Sequence, residues 1–410
     1  MRLSTRTDFK TERNGLDLER RKIPCSTIFE LSESNPTRVG LVHEPHVLSQ
    51  AFSAEENSLY RPSPRGTIKA REAIAAHVGR GIARQENGIK VDNESVSPID
   101  PESLILCAST SEAYSYLFKL LCDPGDAVFV PRPGYPLFDH LAALEGLRTI
   151  GYPLEYLAGS GWRLDADRLE SLVAADAERR IKAVVLINPN NPTGSYITEG
   201  EKLAVSRICE SRGLSLIVDE VFHPYRIEPW EKTSSFYGYD RVSTFVLDGF
   251  SKRLCLPQAK LGWISVSGPK EEKEAALQGL DLISDTYLSA GTPVMNAAGS
   301  LLEREGEMVE KVLDRCQKNL RSYREILEYP GSPHQVLRCE GGWTALVRSP
   351  RFDSEEELAL GLLREKGLAV QPGYFFDMEQ EAFFAFSLIL RPEDARWAAT
   401  EYADFFKHYR

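Results

Sequence analysis

From residue 104 onward, short unbroken apolar runs alternate with stretches of helical periodicity. The runs at 104–107, 127–130, 181–187, 214–218 and 242–247 lack the in-and-out alternation of a half-solvated strand. They predict strands buried on both faces, as in a parallel sheet covered by helices. Between them, apolar residues three and four apart predict helices over 110–121, 136–144 and 199–212. Upstream, a short strand is expected at 28–31. A helix is expected over 68–77, where Ile68, Ala70, Ala73, Ile74 and Val78 lie at mostly helical spacing. Downstream, one long helix of mixed-sign charge is expected over 293–327, running partly exposed. Strands at 335–337, 343–347, 369–371 and 383–388 follow, with helices at 354–366 and from 392.

The fold class this implies is α/β: a mostly parallel sheet of seven-stranded type flanked by helices, with a smaller α+β unit built from the N- and C-terminal segments. The expected division is 1–58 (arm and part of the small unit), 59–292 (large unit) and 293–410 (connecting helix and small unit). In such a sheet, functional loops lie at the carboxyl ends of the strands.

Composition narrows the partners. The chain has 410 residues and a net charge of −11, which gives nucleic acid and anionic lipid no general reason to bind. Seven scattered cysteines without C-x-x-C spacing suit free thiols in a reducing cytoplasm. No apolar run has the length of a signal-peptide core or a membrane span. His43-Glu-Pro-His46 has no carboxylate or cysteine cluster beside it and reads as a solvated loop; no metal site is expected.

Four strand ends carry unusual polar sets. Cys107-Ala-Ser-Thr-Ser-Glu112 opens a helix, with Ser109 and Glu112 at capping-box spacing and first-turn amides left to face an anion. Pro131-Arg-Pro-Gly-Tyr-Pro136 brackets Tyr135 with prolines, which suits an aromatic face offered to a planar ring. Asn188-Pro-Asn-Asn-Pro-Thr-Gly194 puts three asparagines at one strand end, more than packing explains. Ile217-Val-Asp-Glu-Val221 ends an apolar strand in carboxylates, so Asp219 is expected to face a cation or a protonated ring nitrogen. A fifth strand delivers Ser251-Lys252 into a turn, and Lys260 follows eight residues later.

A phosphate cradle, an aromatic plane, an amide, a carboxylate and a lysine suit a planar, phosphorylated, nitrogen-bearing aldehyde. In this order the motifs resemble those of the aspartate aminotransferase family, class I/II aminotransferases of fold type I that depend on pyridoxal 5′-phosphate. The resemblance runs from Ser34-Asn-Pro to Pro372-Gly373. It implies that Lys252 is the Schiff-base lysine and proton shuttle, that Asp219 pairs with the pyridine nitrogen, and that Asn191 donates to the ring oxygen. It further implies that Tyr135 stacks on the ring, that Ser109, Thr110, Ser251 and Lys260 hold the phosphate, and that Tyr60 reaches the site of a second subunit in a homodimer with shared active sites. The implied activity is ping-pong transfer of an amino group between an amino donor and a 2-oxo acid.

Four positions depart from the family pattern. Phe222 stands where a tyrosine is usual, with Tyr225 a turn further on; Lys260 replaces an arginine; and Ala-Ser-Thr lacks the usual glycine. The strand Phe383-Phe-Ala-Phe-Ser-Leu388 has no arginine to clamp the substrate carboxylate, which leaves Asn35, Arg38 and Arg391 as the substrate-binding candidates. The rival readings are a lyase or decarboxylase using the same cofactor, and a non-catalytic protein that binds it.

Overall fold

The computed structural model describes residues 4–7, 14–87, 99–228, 233–288 and 290–409. Parts of the polar N-terminal arm, at 1–3 and 8–13, lie outside the described residues; within it, Gly15–Arg20 is a helix capped by Asn14. Strand β1 (Phe29–Glu30) opens the small sheet region. Among the described residues the central sheet comprises β2 (Leu104–Cys107), β3 (Ala127–Arg132), β4 (Arg148–Leu157), β5 (Gly161–Leu164), β6 (Ile181–Ile187), β7 (Ser215–Asp219), β8 (Thr244–Gly249) and β9 (Gly262–Ser267). Their spatial order is β2-β9-β8-β7-β6-β3-β4-β5. Pairing is parallel from β4 through β3, β6 and β7 to β8. Strand β9 runs antiparallel to both β2 and β8, and β5 runs antiparallel to β4 at the edge.

The mostly parallel sheet is as expected, with eight strands rather than seven among the described residues. The additional edge strand β5 has only four residues, interrupted by Arg163, and β4 mixes Gly151, Pro153 and Glu155 into its run, so neither has a clear period. Strand β9 alternates Trp263, Ile264 and Val266 with Ser265 and Ser267, which breaks up the apolar signal although the whole strand is buried.

Local chemistry sets the helix bounds. The helix Glu199–Arg212 begins at a capping box between Thr198 and Glu201 and stops at Gly213, whose φ of +68° is the left-handed C-cap conformation. The expected single helix at 293–327 is instead two, Thr292–Leu302 and Glu305–Leu327. The first is apolar nearly all round and buried. The second turns one stripe inward, with Met308, Val312, Cys316, Leu320, Tyr323 and Leu327 spaced by three or four. The break at Glu303-Arg304 lets Glu305 face the core, where its carboxylate meets Arg253 Nη1 at 2.5 Å and also contacts His77.

A second sheet of β10 (Gln335–Val336), β11 (Thr344–Arg348), β13 (Gln371–Pro372) and β14 (Phe383–Ser387) is antiparallel, in the order β10-β11-β14-β13. Strand β1 pairs parallel with β12 (Leu368–Ala369), which draws the N-terminal segment onto this C-terminal unit. Helices Glu305–Leu327 and Pro392–His408 cover it around a core that includes Tyr323, Phe384, Phe386 and Tyr402.

Candidate active site

The sheet register brings the polar sets abreast. Ile187, Asp219 and Leu247 are direct neighbours across β6, β7 and β8, so Asn191 and Lys252 emerge a few residues beyond the same edge. A cavity of about 380 Å³ opens there. Its lining includes seven of the expected site residues: Ser109, Thr110, Tyr135, Asn191, Asp219, Ser251 and Lys252.

Lys252 sits in the one-turn helix Phe250–Arg253, directly after β8. Its Nζ lies 5.5 Å from the Phe222 ring centroid and 5.3 Å from that of Trp343. Burial lowers its pKa below the usual lysine value, opposed by nearby Cys255 and Asp219, so the neutral amine is easier to reach than on a solvated lysine. The Tyr225 hydroxyl donates to the Lys252 carbonyl at 2.7 Å and to that of Arg253 at 3.2 Å, pinning this turn from behind. Tyr225 therefore supports the lysine's backbone and does not replace the tyrosine missing at Phe222, whose ring lines the cavity.

Asp219 accepts from the Val221 amide and the Tyr114 hydroxyl, both at 3.2 Å. Burial nevertheless raises its pKa to about 7, with a contribution from the Asp248 charge. A carboxylate held this way, with two neutral donors and no cation, is stabilised by a positive group arriving in the cavity. Glu220 points the other way and is structural, accepting from Asn188 Nδ2 at 3.0 Å, the Phe236 amide at 2.9 Å and Ser235 Oγ at 2.5 Å.

The three asparagines divide similarly. Asn188 donates to Glu220 and accepts from the Ile197 amide at 3.0 Å, while Asn190 donates to the Pro133 carbonyl at 3.2 Å and Thr193 Oγ1 at 2.9 Å. Asn188 and Asn190 lock the loop, and Asn191 lines the cavity.

Opposite them, Ser109 caps the helix Thr110–Leu121 by accepting from the Glu112 amide at 3.2 Å. The Glu112 carboxylate returns to the Ala108 amide at 2.6 Å rather than to that of Ser109, a capping box shifted by one residue. Thr110, Ser111 and the open end of this helix face the cavity, a setting that suits an anion. Gly262 passes beneath: a Cβ there would lie 3.1 Å from the Ser109 carbonyl carbon, so glycine permits the approach. Tyr135 lines the adjoining wall, edge-on to Phe138 at 5.7 Å.

Five expected residues stand apart from the cavity lining. Lys260 is exposed, with φ at +58°, and does not line this cavity. Tyr60 is 73% exposed. Asn35 turns its side-chain oxygen back onto the Thr37 amide and hydroxyl, and Arg38 pairs outward with Glu33 at 3.2 Å. Arg391 is exposed at the N-cap of the last helix. None of the three lines the cavity. His43, read as part of a solvated loop, is bonded through Nε2 to the Leu254 carbonyl at 2.8 Å.

Sequence reasoning passed over several residues. Tyr114 lies one turn after Thr110 on the same helix face, and that spacing was the available signal. Behind the lysine, Asp248 accepts from Arg253 Nε at 2.9 Å, and Arg253 reaches Glu305, forming a buried charged network. Glu33, Gln371, Trp343 and Ser387 complete the outer cavity wall; they come from segments far apart in the chain, so no local motif announced them.

The donor set fits pyridoxal phosphate: a carboxylate held by neutral donors for a ring cation, a lysine with a lowered pKa for an aldehyde, and a helix end with three hydroxyls for a phosphate. The comparisons with known proteins agree. A glutamate–pyruvate aminotransferase, AlaA, of Haemophilus influenzae is 23% identical over 93% of this chain and 91% of its own length. An alanine aminotransferase of Mycobacterium bovis is 26% identical over 85% of this chain and 79% of its own. The crystal structure of an aminotransferase from Escherichia coli superposes with a TM-score of 0.82 at 19% identity, covering 100% of this chain and 99% of that one. The family model described as aminotransferase class I and II matches residues 30–396, and the chain therefore belongs to that family of pyridoxal-phosphate-dependent, amino-group-transferring enzymes.

Proposed function

We propose that Lys252, Asp219 and Asn191 carry ping-pong amino transfer in this chain, between an amino acid or amine and a 2-oxo acid. The observation that supports this most is the convergence of these side chains, from the ends of β8, β7 and β6, on one cavity. Bound there, pyridoxal phosphate supplies an aldehyde to receive the amine and a protonated ring to draw off electron density. Asp219 holds the ring proton, and the Tyr114 hydroxyl holds Asp219 in place. Asn191 directs its amide toward the ring oxygen, Tyr135 covers one ring face, and Ser109, Thr110, Ser111 and Ser251 bind the phosphate. Lys252 Nζ, with its depressed pKa, takes the proton from the substrate α-carbon.

The same reading takes 59–292 as the cofactor-binding unit, and 1–58 with 293–410 as the unit closing over it. It makes the enzyme a cytoplasmic homodimer in which the exposed Tyr60 reaches the partner's site. No helix among the described residues is long and apolar enough to cross a membrane. A second reading, a lyase or decarboxylase on the same cofactor, draws on Phe222 and on the lack of any arginine lining the cavity among the described residues.

The test is to load the purified enzyme with pyridoxal phosphate and add amino donors, including alanine and glutamate. Transfer predicts loss of the visible absorption band with one oxo acid released per site. A lyase predicts ammonia or carbon dioxide release with the band retained, and that result would overturn the proposal.

A further inference from the structure

We propose that Glu33 makes this site select an amino substrate with a second, cationic nitrogen at the end away from the reacting amine. This rests on the aminotransferase reading of the same cavity.

Backbone contacts bring Glu33 to the site. Ser387, the last residue of β14, donates from its amide to the Leu31 carbonyl at 2.8 Å and from Oγ to the Glu33 carbonyl at 2.6 Å. The loop is thereby fastened to the strand that lines the outer cavity. The Glu33 side chain is only 15% exposed, while its partner Arg38 is 74% exposed on the outer side of the loop. One carboxylate oxygen accepts from the Asn35 amide at 2.8 Å and the other from Arg38 at 3.2 Å, so each keeps acceptor capacity for a ligand.

Charge points the same way. Among the described residues the charged residues lining the cavity are Glu33, Asp219 and Lys252, with no arginine or histidine. Lys252 is engaged at the reacting end, and a phosphate adds further negative charge. A substrate with a distal carboxylate would meet an acid there; a distal ammonium or guanidinium would meet a prepositioned acceptor. The same wall offers Phe222, Phe386 and Trp343, which suit the methylene chain of such a substrate.

The experiment compares ornithine, norvaline (the same chain without the distal amine) and glutamate as donors to the loaded enzyme. A charge-assisted hydrogen bond predicts that ornithine exceeds norvaline in kcat/KM by roughly tenfold or more. Glu33→Gln should bring that ratio to within about threefold of one, and Glu33→Lys should make glutamate the better donor. Calorimetry on enzyme reduced with borohydride, which cannot turn over, should reproduce the ornithine preference in binding. Should norvaline or glutamate match ornithine in the wild type, or the ratio survive Glu33→Gln, the proposal is wrong. Glutamate turnover abolished by Arg38→Ala would also overturn it, by making Arg38 the contact. If no donor bleaches the visible band yet ornithine still binds the reduced enzyme preferentially, amino transfer fails while Glu33 recognition stands.

Discussion

The inner and outer halves of the cavity are built from different kinds of structure. The inner half hangs on the carboxyl ends of β6, β7 and β8, whose register is fixed by buried pairing on both sides, parallel except between β8 and β9. Asp219, Asn191 and Lys252 inherit their positions from that frame, and they match the family pattern. The outer half is assembled from the 32–34 loop and the short paired strands β13 and β14, with the loop fastened to β14 through Ser387. The departure that bears on substrate binding, an arginine-free β14, falls there, while Phe222, Lys260 and the Ala-Ser-Thr turn depart on the cofactor side. The sheet thus holds Asp219, Asn191 and Lys252 in a rigid frame, while the loop and small sheet decide what the cofactor meets.

If this contrast is right, substitutions in the inner half should disable the reaction for all donors, and those in the outer half should reorder donors. Lys252→Ala should have the largest effect, lowering turnover by roughly 10²–10⁴-fold or more through loss of general acid–base transfer alone, measured with any accepted donor. Asp219→Asn should come next, reducing kcat about 10²-fold through loss of charge stabilisation on the ring.

Asp219 also predicts a pH dependence in the cofactor-free protein. Its folded pKa of about 7 lies above the ordinary aspartate value of 3.8, so the folded state binds more protons than the unfolded one between those values. Its contribution to stability therefore falls as pH rises from about 4 to 7, by an amount of order 2–4 kcal/mol. Urea unfolding of the apoprotein at pH 5 and pH 8 measures the slope, and Asp219→Asn should flatten it. A smaller effect is expected for Asn191→Ala, about tenfold weaker cofactor binding from one lost charge-assisted hydrogen bond, read by equilibrium titration. The smallest belongs to Tyr114→Phe. Removing one donor from Asp219 should raise that carboxyl's pKa, moving the acid limb of the kcat profile upward while changing maximal kcat only a few-fold.

How far the chain could be read follows the same division. Strands β2, β3, β6, β7 and β8 are legible because burial on both faces demands unbroken apolar runs, and the polar residues ending them stand out against those runs. Helix Glu199–Arg212 is legible because Thr198, Glu201 and Gly213 mark its ends. By contrast, β9 carries serines within a buried strand, β4 carries glycine and proline in a mostly unburied one, and the break at Glu303-Arg304 accompanies a distant ion pair of Glu305 with Arg253. Its spacing from Lys252 marks Lys260 as a phosphate candidate, whereas its positive φ and its exposure are not readable from spacing. Glu33 had no local signal; only the Ser387 contact gives it a place.

The most direct test of the central claim is to load the purified protein with pyridoxal phosphate, reduce it with borohydride and map the modified peptide. The account predicts one equivalent of label per chain, all on Lys252, with the visible band lost on reduction. Label on Lys260 or another lysine, or a protein that takes up no cofactor at saturating concentration, would contradict it.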